Sequence, residues 1–362
     1  MKIAMIGQKN VPSRIGGIEV VVTTLATKMA DLGHEIFLYN RKVDDESSFS
    51  LNNKNIHIKQ VFTIKGKGVA AFTSSFFATI ASLKDKCDIY HYHAEGPALF
   101  CFIPKLFNKK VVVTIHGLDW KRKKWNNLAN KIIKLGEKTA VKYADEIIVL
   151  TKSNQKYFKD IYSKDTIYIP NGIDEPNAIF DSNNNYLLFV GRIVPEKGIH
   201  YLIEAFNKVK DHPYLKDKYL YIVGKSSDSN DYYNNLKEIT KDDERIKMLG
   251  FKQGNELTKL FSNAYLYILP SEIEGMPISL LEAMSYSNCC IVSDTEEFKE
   301  IVEDKAITFK CSNVDDLSNK LITDPQIISK YKENSKNYIL NKYKWDDIVK
   351  STLKTYENII NK

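Results

Sequence analysis

Two glutamates flank a glycine–proline turn at residues 274–283, a set that could bind a phosphorylated sugar. Gly275 lets the backbone approach a ligand closely, and Pro277 suits the first turn of a helix predicted over residues 277–285. Amides at the start of a helix lack intrahelical partners and, with the helix dipole, attract an anion. Glu274 precedes this helix and Glu282 lies in its second turn. A lone helical glutamate is usually just solvated, but the pair predicts a nucleotide-sugar site, with diphosphate on the amides and hydroxyls on the carboxylates.

A second candidate set follows the strand predicted over residues 186–190. Residues 191–198 read Gly-Arg-Ile-Val-Pro-Glu-Lys-Gly, which places Arg192 and Lys197 five residues apart on a glycine-bounded loop. A planar guanidinium and an ammonium point charge at this spacing can grip one diphosphate. Taken alone, the stretch could also be a plain polar loop.

Histidines and glycines supply the candidates in the first half of the chain. His116 directly follows a predicted strand, and a buried structural histidine is the alternative interpretation. Gly16 and Gly17 stand at the entrance of a helix predicted over residues 18–32, where a simple turn is equally plausible. His91 and His93 have the i, i+2 spacing of one strand face. That spacing could suggest a metal, but no third ligand is evident nearby, so we expect packing or acceptor contacts.

The elements that must position these residues follow an alternating strand–helix order, which indicates an α/β fold with parallel sheets. In such sheets ligands bind at the carboxyl ends of the strands. No G-x-G-x-x-G follows the first strand, which argues against a dinucleotide site. The predicted strands cover residues 2–7, 35–39, 56–61, 89–92, 111–115, 146–150, 186–190, 219–224, 247–251, 264–269, 288–293 and 306–309.

Turn residues at 168–174 and a polar run at 181–185 place a domain boundary near residue 175. We therefore expect one Rossmann-like domain over residues 1–174, a second over 175–342, and a terminal segment over 343–362 whose helix runs from about residue 345 to 360. The longest uncharged run, residues 69–83, is too short to span a bilayer. We expect it to form a core helix.

Composition fits a soluble globular protein of two domains, with 362 residues, 43% apolar and 27% charged. Five cysteines without a C-x-x-C pair indicate reduced thiols, and the chain enters a strand directly after Met1 without an evident signal peptide. These features predict a cytoplasmic protein.

Charge is divided unevenly along the chain. Residues 1–172 contain 27 Lys/Arg and 15 Asp/Glu, whereas residues 173–362 contain 25 and 30. A basic first half suggests an anionic partner. The cluster Lys121-Arg122-Lys123-Lys124-Trp125 leads into a helix that interleaves lysines with aliphatic residues, as interfacial membrane helices do. No nucleic-acid motif accompanies the charge, so an anionic membrane or a diphosphate-lipid acceptor is the better interpretation.

Several of these stretches resemble glycosyltransferase family 4. Residues 274–283 resemble its E-x7-E signature, residues 191–198 its phosphate-binding stretch, and His116-Gly117-Leu118-Asp119 its His-Gly-x-Asp segment. Residues 12–19 and 32–35 are similar to its N-terminal domain, especially in the branch that contains bacterial rhamnosyltransferases of surface-polysaccharide assembly.

The resemblance implies two Rossmann-like domains facing across a cleft, a GT-B arrangement, with the final helix packing back on the first domain. It implies retention of anomeric configuration, a His116 that approaches the donor sugar, and Gly16 and Gly17 beside the donor diphosphate. Glu274 would hold sugar hydroxyls and Glu282 the ribose. The residues expected to bind the donor are Gly16, Gly17, Arg192, Lys197, Gly224, Phe251, Glu274, Gly275, Met276, Pro277, Ile278, Ser279 and Glu282.

The sequence contains no D-x-D metal signature. Charge on the leaving diphosphate would then be offset by Arg192, Lys197 and the helix amides, so we expect neither a metal nor another cofactor. The expected catalytic residues are His116, Arg192, Lys197 and Glu274. The acceptor would be a glycan or a polyprenyl-diphosphate-linked sugar, at the inner face of the cytoplasmic membrane. A nucleotide-sugar epimerase of similar architecture and a non-catalytic nucleotide-sugar-binding protein are the rival interpretations, and detecting sugar transfer separates the three.

Overall fold

The chain forms two compact α/β units. The computed structural model describes residues 1–42, 50–66, 68–122, 125, 127–177, 180, 185–226 and 230–362. The first unit comprises Met1–Asn171 and Trp345–Lys362, and the second comprises Gly172–Lys344. The division thus falls three residues before the predicted first boundary and two residues after the predicted second one. Of the polar run predicted at residues 181–185, residues 181–184 lie outside the described residues.

The first unit is built on a parallel sheet in the order β3-β2-β1-β4-β5-β6-β7. Its strands are β1 (Lys2–Ile6), β2 (Glu35–Arg41), β3 (Ile56–Val61), β4 (Ile89–His93), β5 (Lys110–Ile115), β6 (Glu146–Val149) and β7 (Ile167–Tyr168). Its helices are α1 (Gly17–Asp31), α2 (Val69–Lys84), α3 (Glu95–Ala98), α4 (Phe102–Lys105), α5 (Asn127–Tyr143), α6 (Lys152–Tyr162) and the final helix α14 (Trp345–Ile360). Strand order reverses between β1 and β4, the switch point at which doubly wound sheets bind ligands.

The second unit repeats the plan with the order β10-β9-β8-β11-β12-β13. Its strands are β8 (Tyr186–Val190), β9 (Tyr219–Val223), β10 (Ile246–Gly250), β11 (Leu266–Leu269), β12 (Cys290–Ser293) and β13 (Ile307–Phe309). Its helices are α7 (Ile199–Val209), α8 (Asn230–Thr240), α9 (Gly254–Ser262), α10 (Ile278–Ser285), α11 (Glu296–Val302), α12 (Val314–Leu321) and α13 (Pro325–Lys342). Here the switch point lies between β8 and β11.

Apolar runs form the central strands because parallel strands are covered on both faces. Residues 3–6 of β1 and 187–189 of β8 are completely buried. Every strand predicted from such a run is present, with bounds within two residues of the prediction. The prediction of two Rossmann-like domains is confirmed.

The final helix packs on the first unit, as expected. Ile348, Val349, Leu353 and Tyr356 are buried along one face of α14. The Tyr356 hydroxyl lies 2.6 Å from His91 Nδ1, and Asp346 pairs with Lys28 of α1 at 2.9 Å.

Helix α2 corrects the expectation of a core helix. Its large apolar side chains face solvent, and its buried residues are Ser74, Ser75, Ala78, Thr79 and Ser82. Small side chains let the helix approach the sheet, so the bulky residues are directed outward. None of the helices in the described part of the chain is both long and apolar enough to cross a membrane.

Candidate active site

In the second unit, a glycine fixes the loop that follows β8 against the loop that follows β11. Gly198 has φ +67°, and a Cβ there would overlap the carbonyl oxygen of Pro270. Only glycine accepts both this backbone conformation and this approach without strain. The amide of Glu272 donates to the carbonyl of Glu196 at 2.9 Å, which joins the same two loops.

This packing brings Lys197 and Glu274 together. The Lys197 ammonium forms an ion pair with Glu274 Oε1, and the two side chains are only 9% and 7% exposed. The sequence predicted separate roles for them, 77 residues apart, and did not predict the pair. An ammonium has three donors, so Lys197 can bind a phosphate oxygen while it remains paired with Glu274.

Helix α10 begins one residue later than predicted. Pro277 is its N-cap with extended backbone (φ −72°, ψ 121°), and the first helical residue is Ile278. The Leu280 amide donates to the Pro277 carbonyl at 3.1 Å. Amides in the first turn precede the intrahelical ladder, so those of Ile278 and Ser279 stand at the positive end of the helix dipole.

Side chains on and beneath α10 are held in place. The buried Tyr267 hydroxyl lies 2.9 Å from Ser279 Oγ, and burial raises the pKa of Tyr267 well above its usual value. Gly275 and Met276 are buried, and Glu282 is half-buried in the second turn, as predicted. The structure therefore brings Glu274, the helix start and Glu282 into one segment after β11.

The remaining candidates of the second unit lie at the carboxyl ends of β8, β9 and β10. Gly224 has φ +155°, and a Cβ there would overlap the carbonyl oxygen of Gly191. The Gly224 amide donates to the Gly250 carbonyl at 2.9 Å, which draws the ends of β9 and β10 together. Arg192 follows β8 and is half-buried, whereas Phe251 follows β10 and is 38% exposed.

In the first unit, His116 follows β5 and is half-buried in a cluster with the fully buried His91 and His93. Its Nε2 lies 3.1 Å from Nδ1 of His93, so one of these two nitrogens carries the shared proton. Burial lowers the pKa of His116 to about 4 and that of His93 well below its usual value. Both imidazoles are therefore neutral at pH 7.

His91 completes the cluster through packing contacts. Its ring is 4.1 Å from that of His93, its Nε2 lies 2.7 Å from Thr114 Oγ1, and Tyr356 contacts its Nδ1. No group of metal-ligating side chains was found in the described ranges. The sequence analysis did not pair His93 with His116, although β4 ends at His93, the adjacent strand β5 ends one residue before His116, and the strand order would have indicated the contact.

Two buried carboxyl groups that contact the segment after His116, at Asp119 and Trp120, were also missed. Glu95 is fully buried, and its Oε2 accepts the Asp119 amide at 2.8 Å. Burial, reinforced by Asp119 and Glu137, raises the pKa of Glu95 well above its usual value. Burial would also raise the pKa of Glu137, but hydrogen bonds from Lys134 and Tyr162 lower it overall. The two pKa values thus shift in opposite directions, so Glu95 binds a proton more readily than Glu137 does.

The glycine pair before α1 has two different environments. Gly16 is the N-cap, and a Cβ there would overlap the carboxylate of Glu19, whose Oε1 accepts the Lys9 amide at 2.9 Å. A Cβ at Gly17 would meet open space. Gly16 therefore positions Glu19, and Gly17 leaves room above the loop.

The predicted basic cluster is only partly described, since Lys123 and Lys124 lie outside the described residues. Arg122 Nε pairs with Asp119 Oδ1 at 2.8 Å, so this cation is bound within the protein. Lys134 of α5 points inward and lies 4.1 Å from the Trp120 ring centroid.

Two family models match successive parts of the chain. The model described as Glycosyltransferase Family 4 matches residues 15–175, and the model described as Glycosyl transferases group 1 matches residues 171–345. An uncharacterized glycosyltransferase of Methanocaldococcus jannaschii is 27% identical over 99% of this chain and 98% of its own.

Two further proteins carry names that specify ligands. An Escherichia coli UDP-Gal:alpha-D-GlcNAc-diphosphoundecaprenol alpha-1,3-galactosyltransferase is 27% identical over 71% of this chain and 72% of its own. The crystal structure of Anabaena HepE with UDP-glucose superposes with a TM-score of 0.82 at 17% identity, covering 99% of this chain and 100% of that one. That likeness establishes the GT-B type of fold. Together the two models cover residues 15–345, so the chain is a glycosyltransferase whose first part matches family 4 and whose second part matches group 1.

Proposed function

We propose that this enzyme moves a sugar, with retention of anomeric configuration and without a metal, to a glycan or polyprenyl-diphosphate-linked acceptor of a bacterial surface polysaccharide. The observation that carries the proposal is the buried Lys197–Glu274 pair beside the start of α10. A cation, an anion and oriented amides side by side suit a diphosphate that adjoins a sugar. The Escherichia coli relative, whose name specifies a diphosphoundecaprenol acceptor, supports the acceptor class.

In the proposed reaction the bond between the anomeric carbon and the diphosphate oxygen breaks, and a bond to the acceptor oxygen forms on the same face. The acceptor hydroxyl proton passes to the leaving phosphate. Arg192, Lys197 and the amides of Ile278 and Ser279 offset the charge on that phosphate. Loss of one such preorganised donor typically costs about 2–4 kcal/mol of transition-state stabilisation.

Each carboxylate has a distinct proposed role. Glu274, held by Lys197, accepts hydrogen bonds from the donor sugar, and Glu282, one turn into α10, accepts them from the ribose. Neither is placed as a covalent nucleophile, since retention is proposed through same-face attack.

His116 is proposed as a neutral hydrogen-bonding group. Because burial lowers its pKa to about 4, the imidazole is uncharged at neutral pH and a weak base. The contact of its Nε2 with His93 fixes the orientation of the ring. It therefore also fixes the direction in which the other ring nitrogen, Nδ1, can bind a hydroxyl.

We place the enzyme at the inner face of the cytoplasmic membrane, on the basis of the basic first half. On α5 the exposed residues include Leu128, Lys131, Leu135 and Lys138, an alternation of aliphatic and cationic side chains. Such a surface suits an anionic bilayer. A branch of bacterial rhamnosyltransferases is the proposed closer kinship.

The test is transfer of labelled sugar. A thermal-shift screen of UDP-, GDP- and dTDP-sugars identifies the donor, which is then labelled and incubated with polyprenyl-diphosphate-linked sugars. We expect label in the lipid fraction, with the anomeric configuration of the donor by NMR, and loss of transfer in Glu274→Gln but not in the surface control Glu204→Gln. An inverted product would refute retention, and interconversion of donor epimers without transfer would refute the proposed reaction.

A further inference from the structure

Helix α2 presents an apolar face to solvent. Val69, Phe72, Phe76, Phe77 and Ile80 are between 37% and 47% exposed. Their spacing of three, four, one and three residues places them on one side of a helix. In an ordinary surface helix this side would face the core, and here it faces away from it.

The opposite face of α2 can be buried because its hydroxyl groups form hydrogen bonds with carbonyl groups of the same helix. Ser75 donates to the carbonyl of Ala71 at 2.7 Å, and Thr79 to that of Ser75 at 2.8 Å. Thr79 also lies 3.0 Å from the hydroxyl of Tyr92 in β4. Hydroxyls that bond back to their own helix can be buried without penalty for a lost hydrogen bond. The outward direction of the aromatic residues is therefore fixed by the packing of α2 on the sheet.

The aromatic side chains form one continuous patch. Ring centroids of Phe62 and Phe77 are 5.2 Å apart, and those of Phe77 and Phe76 are 5.3 Å apart. Phe76 and Phe72 both contact Phe100, at 5.5 and 5.0 Å. Phe100 is only 7% exposed, so it anchors the patch to the core. A contiguous exposed patch of this kind marks an interaction surface.

The chain around the patch is cationic. Between residues 50 and 84 the sequence has five lysines and no aspartate or glutamate, and one of the five, Lys59, pairs with Asp85. Lys109 and Lys110 follow the exposed Leu106 and Phe107, which are 71% and 60% exposed. An aromatic face with basic neighbours complements anionic headgroups over an apolar interior. Symmetric self-association would bring the basic surroundings of one copy against those of the other.

We infer that the outward face of α2, the aromatic patch, docks to an anionic lipid bilayer. Phe72, Phe76 and Ile80 enter the boundary between headgroups and acyl chains, and the neighbouring lysines contact lipid phosphates. The inference rests on the proposed membrane location and deepens it, because it adds the outward face of α2 to the α5 surface as a contact with the bilayer.

Vesicle cosedimentation tests this surface directly, without any transfer reaction. Wild type should bind vesicles of phosphatidylglycerol mixed with phosphatidylcholine, and bind pure phosphatidylcholine vesicles more weakly. The Phe72→Ser/Phe76→Ser variant should bind the anionic vesicles about 10–100-fold more weakly, because two partly exposed aromatic side chains no longer leave water. The matched control Ile239→Ser/Ile327→Ser removes side chains 52% and 46% exposed in the second unit and should bind as wild type does.

A second measurement remains informative if the double variant folds poorly. Phe76→Trp should show blue-shifted fluorescence with anionic vesicles and quenching by brominated acyl chains, whereas Ile239→Trp should show neither. Equal vesicle binding by wild type and the double variant would overturn the inference, as would a wild-type dimer that ignores vesicles and dissociates in the double variant. Thermal shift with the nucleotide-sugar is measured on the same samples. If the wild-type protein binds the donor but not the vesicles, the docking surface is refuted and the proposed function is not. If the wild-type protein does not bind any of the nucleotide-sugars, the proposed function is refuted.

Discussion

The buried ion pair between Lys197 and Glu274 allows a quantitative prediction. Lys197→Ala removes the partner of a carboxylate whose side chain is 7% exposed, and leaves that charge buried. Breaking a buried pair from one side costs about 3–5 kcal/mol. For a unit of this size each kcal/mol of lost stability lowers Tm by roughly 2–4 °C. The Tm of the second unit should therefore fall by roughly 6–20 °C.

A double-mutant cycle isolates the pair from the loss of side-chain packing. Glu274→Leu should destabilise about as much as Lys197→Met, whereas Lys197→Met/Glu274→Leu should recover most of the loss, since no buried charge remains. The double variant should still lack transfer activity. Both proposed ligands of the donor are absent from it.

The assay is urea unfolding and calorimetry of each variant in the full chain. Lys208→Ala is the matched control, because its pair with Asp315 is exposed on both sides (45% and 82%) and should matter little. Additive single effects, with no coupling between positions 197 and 274, would refute the pair and the account of the loop built on it.

Four further outcomes are expected. Because the folded pKa of His116 is about 4, below its unfolded value, the unfolded chain binds more protons between pH 6.5 and 4. His116 should therefore contribute about 3 kcal/mol to the fall in stability over that window, in addition to His91 and His93, whose pKa values burial also lowers, and the slope should be shallower in His116→Gln. Gly198→Ala should destabilise the second unit and lower activity more than Gly254→Ala does. Gly254 also has a positive φ, but a Cβ there would have no neighbour within 4 Å. Equal effects of the two variants on urea unfolding would refute the role of the close contact between Gly198 and Pro270. Glu282→Ala should weaken nucleotide binding about 10–100-fold in calorimetry. A chelator should leave the turnover of the wild-type enzyme unchanged. Strict dependence of turnover on magnesium or manganese would contradict the metal-free mechanism.

Apolar runs and turn residues were enough to predict the strands and the two-domain fold. A strand buried on both faces has a distinctive composition, and glycines at strand ends mark the ligand edge. Helix α14 was predicted within its observed bounds because its apolar stripe has a clear helical period.

The orientation of α2 could not be read from its sequence. Residues 69–83 are uncharged on every side, and their large apolar residues cluster on the side that ordinarily faces a core, so the pattern favours burial of the wrong face. The choice depends on how closely the helix approaches the sheet and on the hydroxyl contacts of Ser75 and Thr79. These are tertiary properties.

The Lys197–Glu274 ion pair could not be predicted from the sequence for a similar reason. Both residues were correctly singled out, but their contact depends on the steric fit of Gly198 against Pro270, which joins segments far apart in sequence. The contact of His116 with His93 would have been easier to infer, since the two residues lie at or just after the ends of the adjacent strands β4 and β5.

Arg192 gives the most direct test of the claim that the second unit grips a donor diphosphate. Calorimetry would compare wild type and Arg192→Gln, each titrated with the nucleoside diphosphate of the donor and with the free nucleoside. We predict that the variant binds the diphosphate about 10–100-fold more weakly and the nucleoside with unchanged affinity. Equal diphosphate affinity in both proteins would contradict the account.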